Sequence, residues 1–267
     1  MIDNNPLISV IMNCYNGEKY LKESVQSLFN QSYTNWELIF WDNLSTDKSS
    51  KIIKEFNNKK IKYYLSEKFT NLYEARNCAI SKCNGSLIAF LDTDDWWSKD
   101  KLQKQINLFA KNKDLGLIYS NCYLYNQSDK KVKIFKNHKL PEGKITQELL
   151  NNYCIGILTI LVNKDVFENN YFNNKYNIIG DFDFITKLSK KINFGCIQEP
   201  LAYGRKHGKN LSDTKLKLYI SELKEWIKDN QKTFIDEGYS LFNQKIFLKK
   251  LQIKYYLKKI NFFNTGV

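Results

Sequence analysis

Short, largely apolar runs alternate with longer amphipathic stretches through the first half of the chain. Residues 7–12 (LISVIM), 37–41 (ELIFW), 61–65 (IKYYL) and 87–91 (LIAFL) read as strands, because β-branched and aromatic side chains crowd into segments too short for helices. Between them, apolar positions recur every three or four residues. Tyr20, Leu21, Val25, Leu28 and Phe29 predict a helix over 18–29. Further helices are predicted over 47–56, where Ser45, Thr46 and Asp47 are good N-cap types, over 71–82 and over 99–110. Strands that start at 7, 37, 61 and 87 leave room for a crossover helix each, so the pattern implies βαβ units and a mostly parallel sheet. Continuous apolar runs fit strands covered on both faces.

The rhythm changes after about residue 115. Strands are expected at 115–125, 131–135, 157–162 and 194–197, with a helix over 181–191. From 212 onward the pattern is helical. Leu216, Tyr219, Ile220, Leu223, Trp226 and Ile227 form one stripe. Over 247–263, Lys249, Lys250, Lys254, Lys258 and Lys259 stand beside Leu248, Leu251, Tyr255, Leu257 and Ile260, which predicts an amphipathic helix. The result is an α/β domain over 1–211 and a basic helical tail over 212–267, with no internal repeat or low-complexity linker.

Length and composition suit one such globular domain with an appendage: 267 residues, 43% hydrophobic and 26% charged. The net charge of +13 is uneven, since Arg205 to the C-terminus carries 14 Lys/Arg against 6 Asp/Glu. That excess suits anionic partners such as nucleotide diphosphates or anionic lipid, although a Lys- and Asn-rich composition raises charge without purpose too. No nucleic-acid motif accompanies it, so nucleic acid is not an expected partner. The cysteines at 14, 78, 83, 122, 154 and 196 form no CxxC pair, and there are only two histidines, which argues against zinc and for reduced thiols. Residues 1–6 lack a basic leader and no run reaches membrane-spanning length, so a cytoplasmic protein is expected.

In a parallel α/β sheet, ligands gather at the carboxyl ends of the strands. The first predicted strand ends in Asn13-Cys14-Tyr15-Asn16-Gly17, the second in Asp42-Asn43-Leu44-Ser45-Thr46-Asp47, and the fourth in Asp92-Thr93-Asp94-Asp95. Three carboxylates within four residues repel one another unless a cation neutralises them, and oxygen-only ligation selects Mg²⁺ or Mn²⁺, ions that bridge carboxylates to phosphates. The bland alternative is a solvated turn in which Asp94 or Asp95 caps the next helix. Asp42 is placed to accept a hydrogen bond from a base such as uracil, or to N-cap.

Together these segments resemble glycosyltransferase family 2, the inverting enzymes of GT-A fold. SVIMNCYNGEKYL (9–21) is similar to the family's opening S-V-I-x-P-x-Y-N, with Asn13 in place of proline. WDNLSTDKS (41–49) resembles V-D-D-G-S-x-D-x-S, with Asn43 and Leu44 for Asp and Gly. EARNCAI (74–80) resembles A-R-N-x-G-I, and LDTDDWW (91–97) resembles the D-x-D-D segment. GDFDFITKLSKK (180–191) resembles E-D-Y-D-L-x-x-R-L, and EPLAYGRKHGKNLS (199–212) resembles the closing E-P-L-x-x-Y-R-x-H-x-x-N-x-S.

The resemblance implies a Rossmann-like sheet flanked by helices, with residues 1–115 as the nucleotide-binding half and 116–211 as the acceptor half. It implies a nucleotide-sugar donor, with UDP favoured, and transfer to a glycan or lipid-linked acceptor in cell-surface polysaccharide synthesis. Asp181 takes the catalytic-base position, while Asp183 faces elsewhere on the helix. Asn13, Tyr15, Asn16, Asp42, Asn71, Arg76, Asp92, Thr93, Asp94 and Arg205 are implied donor contacts, and Asp94, Asp95 and His207 the metal set for Mn²⁺ or Mg²⁺. Against these roles stand helix capping for Asp181 and a solvated basic loop for 205–207. His138 reads as surface, and Trp96 and Trp97 as core or acceptor platform. The tail suits an anionic inner membrane face or packing on the domain. A sugar nucleotidyltransferase would want a Gly-rich basic loop where Gly17 stands beside Glu18, and a non-catalytic nucleotide-sugar-binding module would not need Asp92, Asp94, Asp95 and Asp181.

Overall fold

The computed structural model describes residues 5–208, 210 and 214–264, with side chains through 258. The first half builds as the pattern implies. β1 (Ile8–Cys14), β2 (Trp36–Asp42), β3 (Ile61–Leu65) and β4 (Leu87–Phe90) lie parallel in the order β3-β2-β1-β4. Alternate residues feed two layers. Val10, Met12, Leu38 and Phe40 join the core that holds Leu21, Val25 and Leu28 of α1 (Glu18–Phe29). Ile11, Ile39 and Phe90 join the opposite core, with Tyr73, Ala79 and Ile80 of α3 (Leu72–Ile80). Both faces are covered, which is why the strands carry no polar alternation. α2 (Ser49–Glu55) completes this half.

The second half extends the same sheet through β5 (Trp96–Trp97), β6 (Leu115–Asn126), β7 (Val132–Ile134), β8 (Leu161–Asn163) and β9 (Asn193–Lys206), in the order β4-β8-β6-β9-β5 with β7 on β6. α4 (Lys101–Lys111), α5 (Thr146–Asn151), α6 (Gly180–Ser189), α7 (Leu216–Asp236) and α8 (Phe242–Asn264) pack around it. Three expectations change. The strand expected at 157–162 splits into a 3-10 turn, Ile157–Thr159, and β8, because the Thr159 amide and hydroxyl both donate back to the Gly156 carbonyl. The short strand at 194–197 runs on to Lys206, since β6 offers it a parallel partner throughout. A register shift between Ser120 and Asn121 accommodates Pro200, which has no N–H to give. Helix α5 was not anticipated.

The C-terminal segment is not a free tail. Leu216, Leu223, Trp226 and Ile227 of α7 are buried. Glu222, 4% exposed within that stripe, accepts the backbone N–H groups of Asn177, Ile178 and Ile179 at 2.8, 2.9 and 3.2 Å. Trp226 Nε1 donates to Asp183 Oδ1 at 2.7 Å, so Asp183 is structural. The single amphipathic stripe expected for α8 is corrected: Leu251 and Gln244 turn inward, while Phe242, Ile253, Tyr256 and Leu257 are exposed on another side. The side chains of Lys259 and Ile260, and residues 211–213 where the domain boundary was placed, lie outside the described residues. No described helix is long and apolar enough to cross a membrane.

Candidate active site

The loops that follow β1, β2 and β4 meet at one edge of the sheet. After β1, Asn16 adopts φ 54° and bridges to the second loop: its amide N–H donates to Ser45 Oγ at 3.0 Å and its Oδ1 accepts from Thr46 N–H at 2.8 Å. At Gly17, a Cβ would sit 2.8 Å from Thr93 Oγ1, so only glycine lets this loop lie against the acidic one. Tyr15 is exposed and its ring packs edge-on against Phe69 at 4.7 Å. Asn13 Nδ2 is buried with no hydrogen-bond partner among the described residues.

Two expected donor contacts are committed to the protein. Asp42 is 1% exposed, with Oδ1 accepting the Ser45 N–H and Oδ2 the Tyr63 hydroxyl at 2.7 Å, so it holds the loop. Asn71 caps α3 through the Glu74 N–H, and its amide donates to the Asn174 carbonyl.

Arg76 is the hub of the site. It is 1% exposed, ringed by Tyr73, Phe90 and Phe172 at 5.6 to 5.8 Å, and ion-paired with both Asp181 and Asp92, the latter at 3.1 Å. Burial opposes its charge, but Asp181 and Asp92 reverse that effect and keep it protonated. Arg76 thus couples two carboxylates in place of the expected direct contact with the donor. Asp181 is the second residue of α6 and does not cap it. Burial pushes its carboxyl up to about 6, with Arg76 pulling down and Asp92 adding to the push. Its Oδ2 receives no hydrogen bond among the described residues. The glycine before it follows from packing: a Cβ at Gly180 would lie 2.6 Å from the Tyr73 ring.

The acidic loop splits its roles. Asp94 Oδ2 lies 2.8 Å from His207 Nε2, and burial, with the charge of Asp92, raises the Asp94 pKa. Asp95 points the other way. It is 9% exposed, accepts the Arg205 backbone N–H at 2.8 Å, and its pKa is pushed well up by burial and by Asp94. Neither carboxylate caps α4, whose N-cap is Asp100. Arg205, expected at the donor, is engaged within the protein: its Nε donates to the Asp94 carbonyl, Nη1 to Gln127 and Nη2 to Glu23 Oε2 at 2.5 Å. Its guanidinium is sandwiched between Tyr20 at 4.3 Å and Trp96 at 4.5 Å. Trp96 also stacks on Tyr203, Trp97 is core, and His138 is exposed.

The residues fit a hard divalent ion, though not through the expected three-ligand set. Among the described residues no three His, Cys, Asp or Glu side chains converge. Asp94 and His207 supply two donors in a spot where carboxylate charge is in excess, and Mn²⁺ or Mg²⁺ held by few protein ligands completes its shell with phosphate and water oxygens.

Beside Asp181 opens a cavity of about 580 Å³ whose far wall comes from α7 and α8. Tyr153, Tyr219, Phe182 and Phe247 line it, with Lys136 and Lys250. None of these was singled out for the site, because no motif marks residues that meet only through tertiary packing.

The described geometry can be set beside known proteins. The family profile described as Glycosyl transferase family 2 matches residues 9–170. An Escherichia coli UDP-Glc:α-D-GlcNAc-diphosphoundecaprenol β-1,3-glucosyltransferase, WfgD, is 35% identical over 158 residues, covering 59% of this chain and 60% of its own. The chain spans about three-fifths of the length of that curated relative. Staphylococcus aureus TarS in complex with UDP superposes with a TM-score of 0.64 at 20% identity, over 81% of this chain and 65% of TarS. A Pyrobaculum calidifontis mannosyltransferase in complex with GDP-Man and Mn²⁺ gives 0.64 at 14% identity, over 85% and 66%. These likenesses show a GT-A fold, and with the profile match they show that the chain belongs to glycosyltransferase family 2.

Proposed function

We propose that this chain is an inverting glycosyltransferase that moves a sugar from a UDP-sugar to a hydroxyl of a glycan or lipid-linked acceptor in cell-surface polysaccharide synthesis. The observation that carries the reading is the Arg76 bridge, which ties Asp181 on α6 to Asp92 at the end of β4 and so joins an acceptor-side carboxylate to the donor-side acidic loop. Asp181 would take the proton of the acceptor hydroxyl as it attacks the anomeric carbon from the face opposite the leaving diphosphate, and one displacement inverts that centre. A pKa near 6 suits this role, because the base is ionised at neutral pH yet not so weak as an ordinary solvated aspartate. Its Oδ1 is fixed by Arg76, which leaves Oδ2 for the proton.

On the donor side, Tyr15 offers an exposed ring to a base, and the unpartnered amide of Asn13 offers a donor within the rim. Asp94 and His207 would hold Mn²⁺ or Mg²⁺, which when bound supplies positive charge to a diphosphate leaving group. UDP is favoured because TarS binds it and because the E. coli relative is named for a UDP-glucose donor. A thermal-shift screen of UDP-, GDP- and dTDP-sugars with and without Mn²⁺ tests the reading. Stabilisation by a UDP-sugar that needs Mn²⁺ and weakens in Asp94→Asn is expected. Indifference to metal with every nucleotide would refute it.

A further inference from the structure

Three successive backbone carbonyls, those of Leu158, Thr159 and Ile160, are each met by a buried side chain from β5 or α4. Trp97 Nε1 donates to the Leu158 carbonyl at 2.8 Å, Gln105 Nε2 to the Thr159 carbonyl at 2.8 Å, and Lys101 Nζ to the Ile160 carbonyl at 3.4 Å. Lys101 Nζ also donates to Gln105 Oε1 at 2.9 Å and lies 4.1 Å from the Trp97 ring, so the three side chains are tied to one another as well as to the turn. Lys101 and Gln105 are both 0% exposed. Buried polar groups cost stability unless each is paired, and when paired they hold one arrangement.

This bracket joins two parts of the site. Trp97 follows closely on the acidic loop, and α1 pins that loop at both ends: Ser24 Oγ donates to the Asp92 carbonyl at 2.9 Å, and Ser27 Oγ accepts the Trp97 N–H at 3.2 Å. On the other side, Gly156 and Ile157 line the cavity that Asp181 also lines, and the Gly156 carbonyl accepts both the amide and the hydroxyl of Thr159. Hydrogen bonds therefore run from the acidic loop to a wall of that cavity without passing through Arg76.

We propose that Trp97, Lys101 and Gln105 are positioning residues that fasten the 156–160 turn to the acidic loop, so that filling the donor site stiffens a wall of the cavity beside Asp181. The proposal rests on the reading of the acidic loop as the donor site. Unoccupied, the carboxylates of Asp92, Asp94 and Asp95 repel one another, and a divalent ion with its diphosphate relieves that repulsion. The loop then fluctuates less, and a segment fastened to it loses freedom with it, a coupling that needs no displacement of the backbone. Register at this wall matters, because a misplacement of about 1 Å near reacting groups can cost about 10²-fold in rate. Arg76 links the two halves through carboxylates, whereas the bracket links them through residues outside both the acidic loop and α6.

Hydrogen exchange on the full chain, with and without saturating UDP and Mn²⁺, tests the assignment. In the wild type, exchange across 156–162 should slow several-fold when UDP and Mn²⁺ are bound. Trp97→Phe keeps a ring and removes the N–H, and Lys101→Met/Gln105→Met keeps the chain lengths and removes the other donors. In both variants that ligand-dependent slowing should be lost, while calorimetry returns UDP affinity unchanged. A brace with a stability role alone would speed exchange at 156–162 equally with and without UDP and lower the melting temperature, yet leave the ligand-dependent difference in place. That outcome overturns the proposal, as does a wild-type response confined to the acidic loop. Should the double variant fail to fold, Trp97→Phe and Lys101→Met alone carry the same comparison. A wild-type protein that binds no UDP refutes the donor reading instead, and calorimetry reports that failure before any exchange is measured.

Discussion

At the scale of single residues, charge burial sets what each carboxylate can do. Asp181 and Asp95 are both acids in low-dielectric surroundings, yet Asp181 faces a cavity and an arginine while Asp95 faces a backbone N–H. Asp181→Asn keeps the shape and a hydrogen-bond acceptor for Arg76 but removes the base. Turnover should fall by about 10²–10⁴-fold with UDP affinity retained, as steady-state kinetics and calorimetry would show. Because burial raises this carboxyl to about 6, its active, ionised form is lost as pH falls through that value. The turnover profile should be flat above neutrality and drop on the acid side near pH 6, and a profile flat down to pH 4 would remove Asp181 from the role. Leu44 makes a backbone case. It sits at φ 65° where the family pattern has glycine. Left-handed geometry costs an L-residue about 1–2 kcal/mol, and glycine's own flexibility costs about 0.5–1, so Leu44→Gly should stabilise the fold by up to about 1 kcal/mol in chemical denaturation. The acidic loop and Asp181 were legible in the sequence because motif order fixes them along the chain. The true partners of Arg205, Asp42 and Asp95 were not, since a motif gives a residue's place and not the direction its side chain turns.

At the scale of elements, local pattern sufficed wherever strand and helix carried their own signal. Helix α1 and strand β3 fall on their expected bounds because periodicity alone defines them. β9 outgrew its expected four residues because its extension depends on the β6 edge, a partner 77 to 80 residues away in sequence. The link between α6 and α7 was likewise invisible: a lone glutamate in an apolar stripe gave no hint of three backbone donors waiting for it. Glu222 accepts from the segment that leads into Gly180 and Asp181, so it positions the base without touching substrate. Glu222→Ala strands three backbone N–H groups, each worth about 1–3 kcal/mol when left unpaired, and should cost at least about 3 kcal/mol in urea denaturation. Glu222→Gln keeps an acceptor oxygen and should cost clearly less. If alanine and glutamine lose the same amount, the brace is packing and not hydrogen bonding.

At the scale of the whole molecule, the question is what the surplus positive charge does. The α7 stripe is spent on the domain, so deleting everything from 212 onward would expose the seat of Trp226 and could not test a surface role cleanly. The relevant surface is the outer side of α8, where Phe242, Ile253, Tyr256 and Leu257 stand exposed among Lys245, Lys249 and Lys254. Apolar side chains bracketed by lysine suit the boundary of an anionic bilayer, with each lysine near such a surface worth about 1 kcal/mol at low salt. Full-length protein should therefore co-sediment with vesicles containing anionic lipid, not with neutral ones, and should release as ionic strength rises. Ile253→Ser/Leu257→Ser changes only outward side chains and leaves the buried Leu251 face intact. That variant should keep its melting temperature and lose most vesicle binding. Equal pelleting of variant and parent would mean the helix displays its lysines to water alone, and the acceptor would then have to reach Asp181 from solution.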